Sequence, residues 1–199
     1  MARAEAAMTD DQGQQAGDAW FFPPQGKWTE AHYLTLPQTQ RLVELAHGRL
    51  IITSPPGAVH QQVVRDLTAM LQTFLRGSGQ GRVLNNPTLR LSPNLLRRPD
   101  IVYLPQSRTL VHEPYLQEIP LWIAEVIDPD TRAADELEKM AEYAAAGVAE
   151  YWLVDPEHQS IAIHVREGEQ YAACGVLTRG QVAESRVIVG FRAQVAQIV

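Results

Sequence analysis

The sequence predicts an α/β fold, a mixed central β-sheet with helices packed against it. Three observations predict it. Short apolar, β-leaning runs recur along the chain, two segments between them carry a helical period, and one run, Leu121 to Ile127, is apolar throughout except for a single glutamate. Strands before, between and after two helices are satisfied when the helices cover the faces of one mixed sheet. Composition permits this. The 199 residues are 45% hydrophobic and 20% charged, which is ordinary for a globular chain, and a chain of this length buries roughly 70% of its unfolded surface without covalent staples.

Taken in order, Met1 to Gly17 is rich in Ala, Gln, Asp and Gly and lacks the basic start and apolar stretch of a signal peptide. Residues 1–24 are therefore expected as a disordered tail, and residues 25–199 as one domain. Trp28 to Leu36 reads as a short helix with Thr29 as N-cap, closed by Pro37. Leu42 to Leu45 and Arg49 to Thr53 read as strands joined by a His47-Gly48 hairpin turn. Ser54-Pro55-Pro56-Gly57 breaks the chain. From Ala58 to Arg76, Val63, Val64, Leu67, Met70, Leu71 and Phe74 recur at three- and four-residue steps, an amphipathic helix ended by Gly77 to Gly81. Arg82 to Asn85, Thr88 to Leu91 and Ile101 to Leu104 are β in character. A second helix is expected from Thr131 to Ala146, capped by Asp130 or Thr131 and stopped by Gly147. Its apolar stripe is Leu137, Met140, Ala141 and Ala144. Glu150 to Val154, Ile161 to Val165 and Tyr171 to Val176 complete the strands.

The single cysteine, Cys174, excludes an intramolecular disulfide and a multi-cysteine zinc site and suits a reducing cytoplasm. No apolar run reaches membrane-spanning length, so no membrane partner is expected. The formal net charge of -6 argues against nucleic acid, because phosphate binding rests on Lys and Arg. Its location weakens the objection. The tail sets Arg3 against Glu5, Asp10, Asp11 and Asp18, which leaves roughly half of the charge on the rest of the chain.

Alternation puts Leu121, Ile123, Glu125 and Ile127 on one strand face and Trp122, Ala124 and Val126 on the other, and both faces read as buried. An ionised carboxylate there is costly unless paired or metal-bound. Glu125 is therefore either a metal ligand or half of a buried salt bridge to an arginine. Asp100 follows Arg97-Arg98-Pro99 at the mouth of a neighbouring strand, and proline there marks a strand beginning. Two carboxylates on adjacent strands can share one hard cation such as Mg²⁺. Lys139 is open in the same way. At helical spacing it lies off the apolar stripe and four residues from Asp135, an ordinary surface ion pair, whereas beside a metal site it would stabilise charge on a phosphate.

These residues carry a resemblance. Val43-Glu44-Leu45 with Gly48 and Leu50, Ser54-Pro55 before His60-Gln61, Arg98-Pro99-Asp100, Glu125-Val126-Ile127, Glu138-Lys139, Tyr143-Ala144, Gly147-Val148, and Glu150-Tyr151-Trp152-Leu153-Val154-Asp155-Pro156 occur in one order. Over Lys27 to Val165 the chain resembles the Uma-type endonucleases of the restriction-endonuclease-like, PD-(D/E)xK superfamily. The resemblance implies a mixed sheet flanked by helices, Mg²⁺ or Mn²⁺ held by Asp100 and Glu125, hydrolysis of DNA phosphodiester bonds, and a homodimer of the kind common in that superfamily. The superfamily's usual lysine position falls here on Ile127, and the resemblance makes Lys139 its helix-borne replacement. Glu44 also falls on a family position, as a further metal-binding acid or as a hairpin-edge glutamate. His60 does likewise, as a group orienting phosphate or water or as a structural histidine. Arg90, Arg97 and Arg98 are read as DNA-backbone contacts or as solubilising charge. His32, His47, His112, His158 and His164 show no metal-site spacing and are read as surface residues. Two other functions fit the same residues: a nucleic-acid-binding module of this fold without turnover, and a metal-dependent hydrolase of another phosphate substrate.

Overall fold

The computed structural model describes residues 22–37, 41–78, 80–105, 114–128 and 134–199. The expected tail up to residue 21, His112, and the proposed caps Asp130 and Thr131 lie outside the described residues. Phe22 stacks on Trp28 with ring centroids 5.7 Å apart, so packing begins within the stretch expected as tail.

Helix α1, Glu30–Leu34, is shorter than the Trp28 to Leu36 expected, but Thr29 caps it. The hairpin forms as read: β1, Leu42–Ala46, pairs antiparallel with β2, Arg49–Thr53. Its turn places His47 at φ 51 and Gly48 at φ 72. Both positive angles match the strands' right-handed twist. Glycine is required at the second position, because a Cβ on Gly48 would lie 2.6 Å from the Gly26 carbonyl oxygen.

Helix α2 runs Ala58–Ser78. Its Val63, Leu67, Leu71 and Leu75 are buried, with Val64, Met70 and Phe74 packed around them. Each such leucine taken from water contributes about 1.5–3 kcal/mol. The chain then forms β3 (Arg82–Asn85), β4 (Leu89–Ser92), β5 (Leu95–Arg97), β6 (Ile101–Leu104) and β7 (Trp122–Val126). A π-helix, Ala134–Lys139, leads into α3, Met140–Ala146. Gly147 closes α3 at φ 103, its N–H donating to the Tyr143 and Ala144 carbonyls. The remaining strands are β8 (Glu150–Asp155), β9 (Ser160–Glu167), β10 (Gln170–Thr178), β11 (Val182–Glu184) and β12 (Arg192–Gln194).

The strands form a four-stranded sheet ordered β2-β1-β5-β4, a six-stranded sheet ordered β10-β9-β8-β7-β6-β3, and the β11-β12 pair. The larger sheet is mixed: β7 runs parallel to β8 and antiparallel to β6. Alternation along β7 holds as read from Trp122 onward, whereas Leu121, expected beside Ile123 and just before the strand, packs with the Trp122 face. Trp122, Ala124 and Val126 join the core under α2 and the C-terminal hairpin, while Ile123 and Ile127 join the core under α3. The chain crosses from the small sheet to the large one at residues 98–100, between β5 and β6. The candidate acids gather at this seam.

The second helix is the main departure from expectation. Residues 134–139 are π-helical rather than α-helical, so the wider i→i+5 turn rotates the side chains away from α-helical phase. Leu137, expected in the apolar stripe, is 71% exposed. Ala141 is exposed as well. Ala144 is buried and Met140 half-buried against the core as expected, and Lys139 and Tyr143, outside the stripe, are buried with them.

Candidate active site

Four elements bring their polar side chains to one cleft of ≈ 570 Å³: β1 gives Glu44, the β5–β6 crossing gives Arg98 and Asp100, β7 gives Glu125, and the π-helix gives Lys139. Leu42, Ile51, Ile52 and Val126 form its apolar wall. Asp100, Glu125, Glu44 and Lys139 are all buried, at 6%, 2%, 5% and 8% exposure.

The two strand acids are locked by each other's backbone. The Asp100 N–H donates to Glu125 Oε2 at 3.3 Å, and the Val126 N–H donates to Asp100 Oδ2 at 2.9 Å. Glu125 Oε1 accepts from Tyr143 Oη at 2.7 Å and from Lys139 Nζ at 3.2 Å. Of the two readings of Glu125, the buried salt bridge is present, with Lys139 as its cation in place of the expected arginine. The surface reading of Lys139 is overturned too, because the π-turn rotates the amine into the site, where it also lies 3.7 Å from Glu44 Oε1. Asp135, its expected partner, has no described side chain.

Glu44 is not a hairpin-edge residue, since β1 has β2 on one side and β5 on the other. Its Oε1 accepts the Arg98 N–H at 2.8 Å and its Oε2 accepts from Arg97 Nη1 at 3.0 Å. Burial pushes this carboxyl up, but Lys139, Arg97 and the Arg98 N–H outweigh burial and hold it below the ordinary carboxylate value. His60 stands at the rim, its Nε2 3.2 Å from Asp100 Oδ2. All five residues singled out as catalytic therefore meet at one place.

Arg97 is corrected. It is neither a DNA contact nor solubilising charge, being 0% exposed. Its Nε and Nη2 grip Glu142 at 2.6 and 2.9 Å while Nη1 holds Glu44, a fork that fixes two acids from distant segments. Burial alone would lower its pKa; the bonds to Glu142 and Glu44 raise it, so it stays charged. By gripping Glu142 on α3, Arg97 also fixes the helix that presents Lys139. Arg90 pairs with Glu30 at 2.8 Å and lies over the Tyr115 ring. Arg98 is half-buried and donates from Nη2 to the Asn86 carbonyl at 3.2 Å.

Tyr143 and Glu142 were missed as site residues. The signal for Tyr143 was its spacing of four from Lys139. Burial, then the negative charges of Glu125 and Glu44, push its phenol well above the ordinary value, so the hydroxyl remains a donor to Glu125. His158 is exposed as read, yet with buried Asp155 and exposed Glu157 it forms a group whose candidate ligand atoms lie within 4.8 Å of one another. His32 and His47 are exposed, and His164 is half-buried against Tyr151 and Tyr171.

The family model Uma2, described as "Putative restriction endonuclease", matches residues 30–196. The chain belongs to the Uma2 family. Among solved structures it is similar to a crystal structure described as "a putative nuclease belonging to DUF820 from Anabaena variabilis ATCC 29413", with a TM-score of 0.74 at 17% identity, covering 85% of this chain and 96% of that one. At that identity the likeness shows the fold, which is α/β and nuclease-like as the sequence predicts. No curated protein matches. Family and fold together support a nuclease. No described helix is long and apolar enough to cross a membrane.

The donor set of this Uma2 member also fits a hard divalent cation. Among the described residues four carboxylates line the cleft, Glu44, Asp100, Glu125 and Asp128, with Arg97, Arg98 and Lys139, and Arg97 is further engaged by Glu142 and Glu138. Oxygen ligands with excess negative charge suit Mg²⁺ or Mn²⁺.

Proposed function

We propose that the protein is a metal-dependent endonuclease hydrolysing DNA phosphodiester bonds, with Asp100 and Glu125 holding Mg²⁺ or Mn²⁺ and Glu44 beside them. The observation that carries this is the surplus of buried carboxylate at the seam between the two sheets, adjoining an open cleft and containing one lysine. When bound, the cation supplies charge neutralisation at the scissile phosphate. Tyr143 and the Asp100 N–H hold Glu125 in one orientation. Lys139 presents its ammonium where negative charge grows on the phosphate. His60, beside Asp100, is placed to pass a proton as water adds to phosphorus and the P–O bond to the leaving oxygen breaks.

A fold that has lost turnover drew its support from the displaced lysine and from weak basic character, and Lys139 Nζ at 3.2 Å from Glu125 speaks against the first of these. The purified protein is expected to cut DNA in Mg²⁺ or Mn²⁺, and Glu125→Ala to lower the rate by at least ~100-fold, more than the loss typical of groups that only support a metal ligand. Calorimetry should show the variant losing Mn²⁺ affinity. Cleavage that needs no metal and survives Glu125→Ala would refute the proposal.

A further inference from the structure

A second cleft, of ≈ 350 Å³, lies between α2 and the end of β3, and meets the first at Pro56, His60 and Asp100. Its size is that of a pocket for one small-molecule moiety. A base inside a duplex cannot enter such a concavity without leaving its stack.

The chemistry of the lining is equally specific. Val64 and Ala69 supply apolar surface, and the polar groups include the amides of Asn85, Gln61 and Gln72. Asn85 Nδ2 donates to Thr68 Oγ1 at 2.8 Å and to the Asp100 carbonyl at 3.3 Å. A carbonyl can only accept, so the nitrogen's position is fixed, both of its hydrogens are used, and Oδ1 remains as a preset acceptor. Gln61 is turned in the same sense, its Nε2 donating to the Pro56 carbonyl at 2.7 Å. Arg65, also at this cleft, is paired with Asp66 at 2.9 Å. Fixed acceptors on an apolar floor suit the amine-bearing edge of a base.

We infer that this cleft seats one unpaired nucleobase carrying an exocyclic amine, which makes the substrate single-stranded or locally unpaired DNA. Because Asn85 is bonded to the peptide of Asp100 itself, a base held there brings its neighbouring phosphate toward Asp100 and His60. This rests on the nuclease proposal, and the test separates the two.

Fluorescence anisotropy with labelled single-stranded oligo-dA, oligo-dC and oligo-dT and with the dA·dT duplex, in Ca²⁺, measures binding, while cleavage is followed in Mn²⁺. Single-stranded dA and dC are expected to bind at least ~tenfold more tightly than dT or duplex. Ala69→Trp, at an exposed position of α2 lining the cleft, should fill it and remove that preference with the melting temperature unchanged. If that variant loses its fold, Gln72→Trp, also exposed, provides the same block. Equal binding of duplex and single strands, or a preference that survives the tryptophan, overturns the inference. Duplex cutting that survives Ala69→Trp and fails in Glu125→Ala keeps the nuclease and overturns the cleft. Absence of any DNA cleavage overturns the nuclease, and the binding preference then decides the cleft alone.

Discussion

Adjacent strands of the six-stranded sheet each bury a glutamate, and the two are satisfied in opposite ways. Glu125 on β7 faces a cleft, is paired with an ammonium, and has Asp100 and Glu44 for company. Glu150 on β8 is 0% exposed and, among the described residues, is met by neutral donors alone: Trp152 Nε1, Ser185 Oγ at 3.2 Å, and the N–H groups of Arg186 at 2.6 Å and Val187 at 3.0 Å. Those donors bind the segment before β12 to the sheet. A buried carboxylate is thus no sign of chemistry by itself. What distinguishes Glu125 is access from a cleft and a local excess of like charge, and what distinguishes Glu150 is saturation by donors that come from the fold.

Breaking the site's own support should have the largest effect. Arg97→Ala leaves Glu44 and Glu142 without their shared cation, and loss of one partner from a buried ion pair costs roughly 3–5 kcal/mol, measurable by urea unfolding. A loss below ~1 kcal/mol would mean that these acids are satisfied in some other way, and the contrast drawn above would fail. Next comes Glu150→Gln, which turns an amide donor toward Trp152 Nε1 or the backbone N–H groups. It should cost about 2 kcal/mol while activity per folded molecule stays unchanged; a drop in activity without a drop in stability would make Glu150 resemble Glu125.

The smallest effect is in pH dependence. Burial raises the Glu150 carboxyl above its ordinary 4.5, outweighing the lowering by Trp152 and the other donors. A raised folded pKa means that the folded state holds the proton more tightly, so the stability it contributes is complete below the ordinary value and is lost as pH rises through the raised one. Acid-to-neutral unfolding series should therefore show the wild type's advantage over Glu150→Gln shrinking as pH rises. An advantage that grows instead would show that the four donors dominate over burial.

Much of this was legible beforehand. Glu125 stood out because a charge in an unbroken apolar run demands a partner wherever the strand lies. Thr29, the His47-Gly48 turn and the apolar face of α2 follow from short-range rules and appear where expected. Strands β5, β11 and β12, each of three residues, were not anticipated, because so short a segment carries no period. Arg97 was misread for a related reason. Its partners lie 53 and 45 residues away, and nothing local distinguishes a buried fork from a surface arginine.

By itself, then, the sequence determined the fold class, the faces of β7 from Trp122 onward, the buried acid Glu125 within that strand and Asp100 at the mouth of β6, because alternation and burial cost act over a few residues. Only the tertiary structure decided where Lys139 points. A single π-turn rotates it onto Glu125, and α-helical spacing cannot reveal a change in the number of residues per turn. The same holds for Glu44 and Glu142, joined through Arg97 from β1 of the small sheet to α3, since their proximity exists only once α3 has docked beside that sheet.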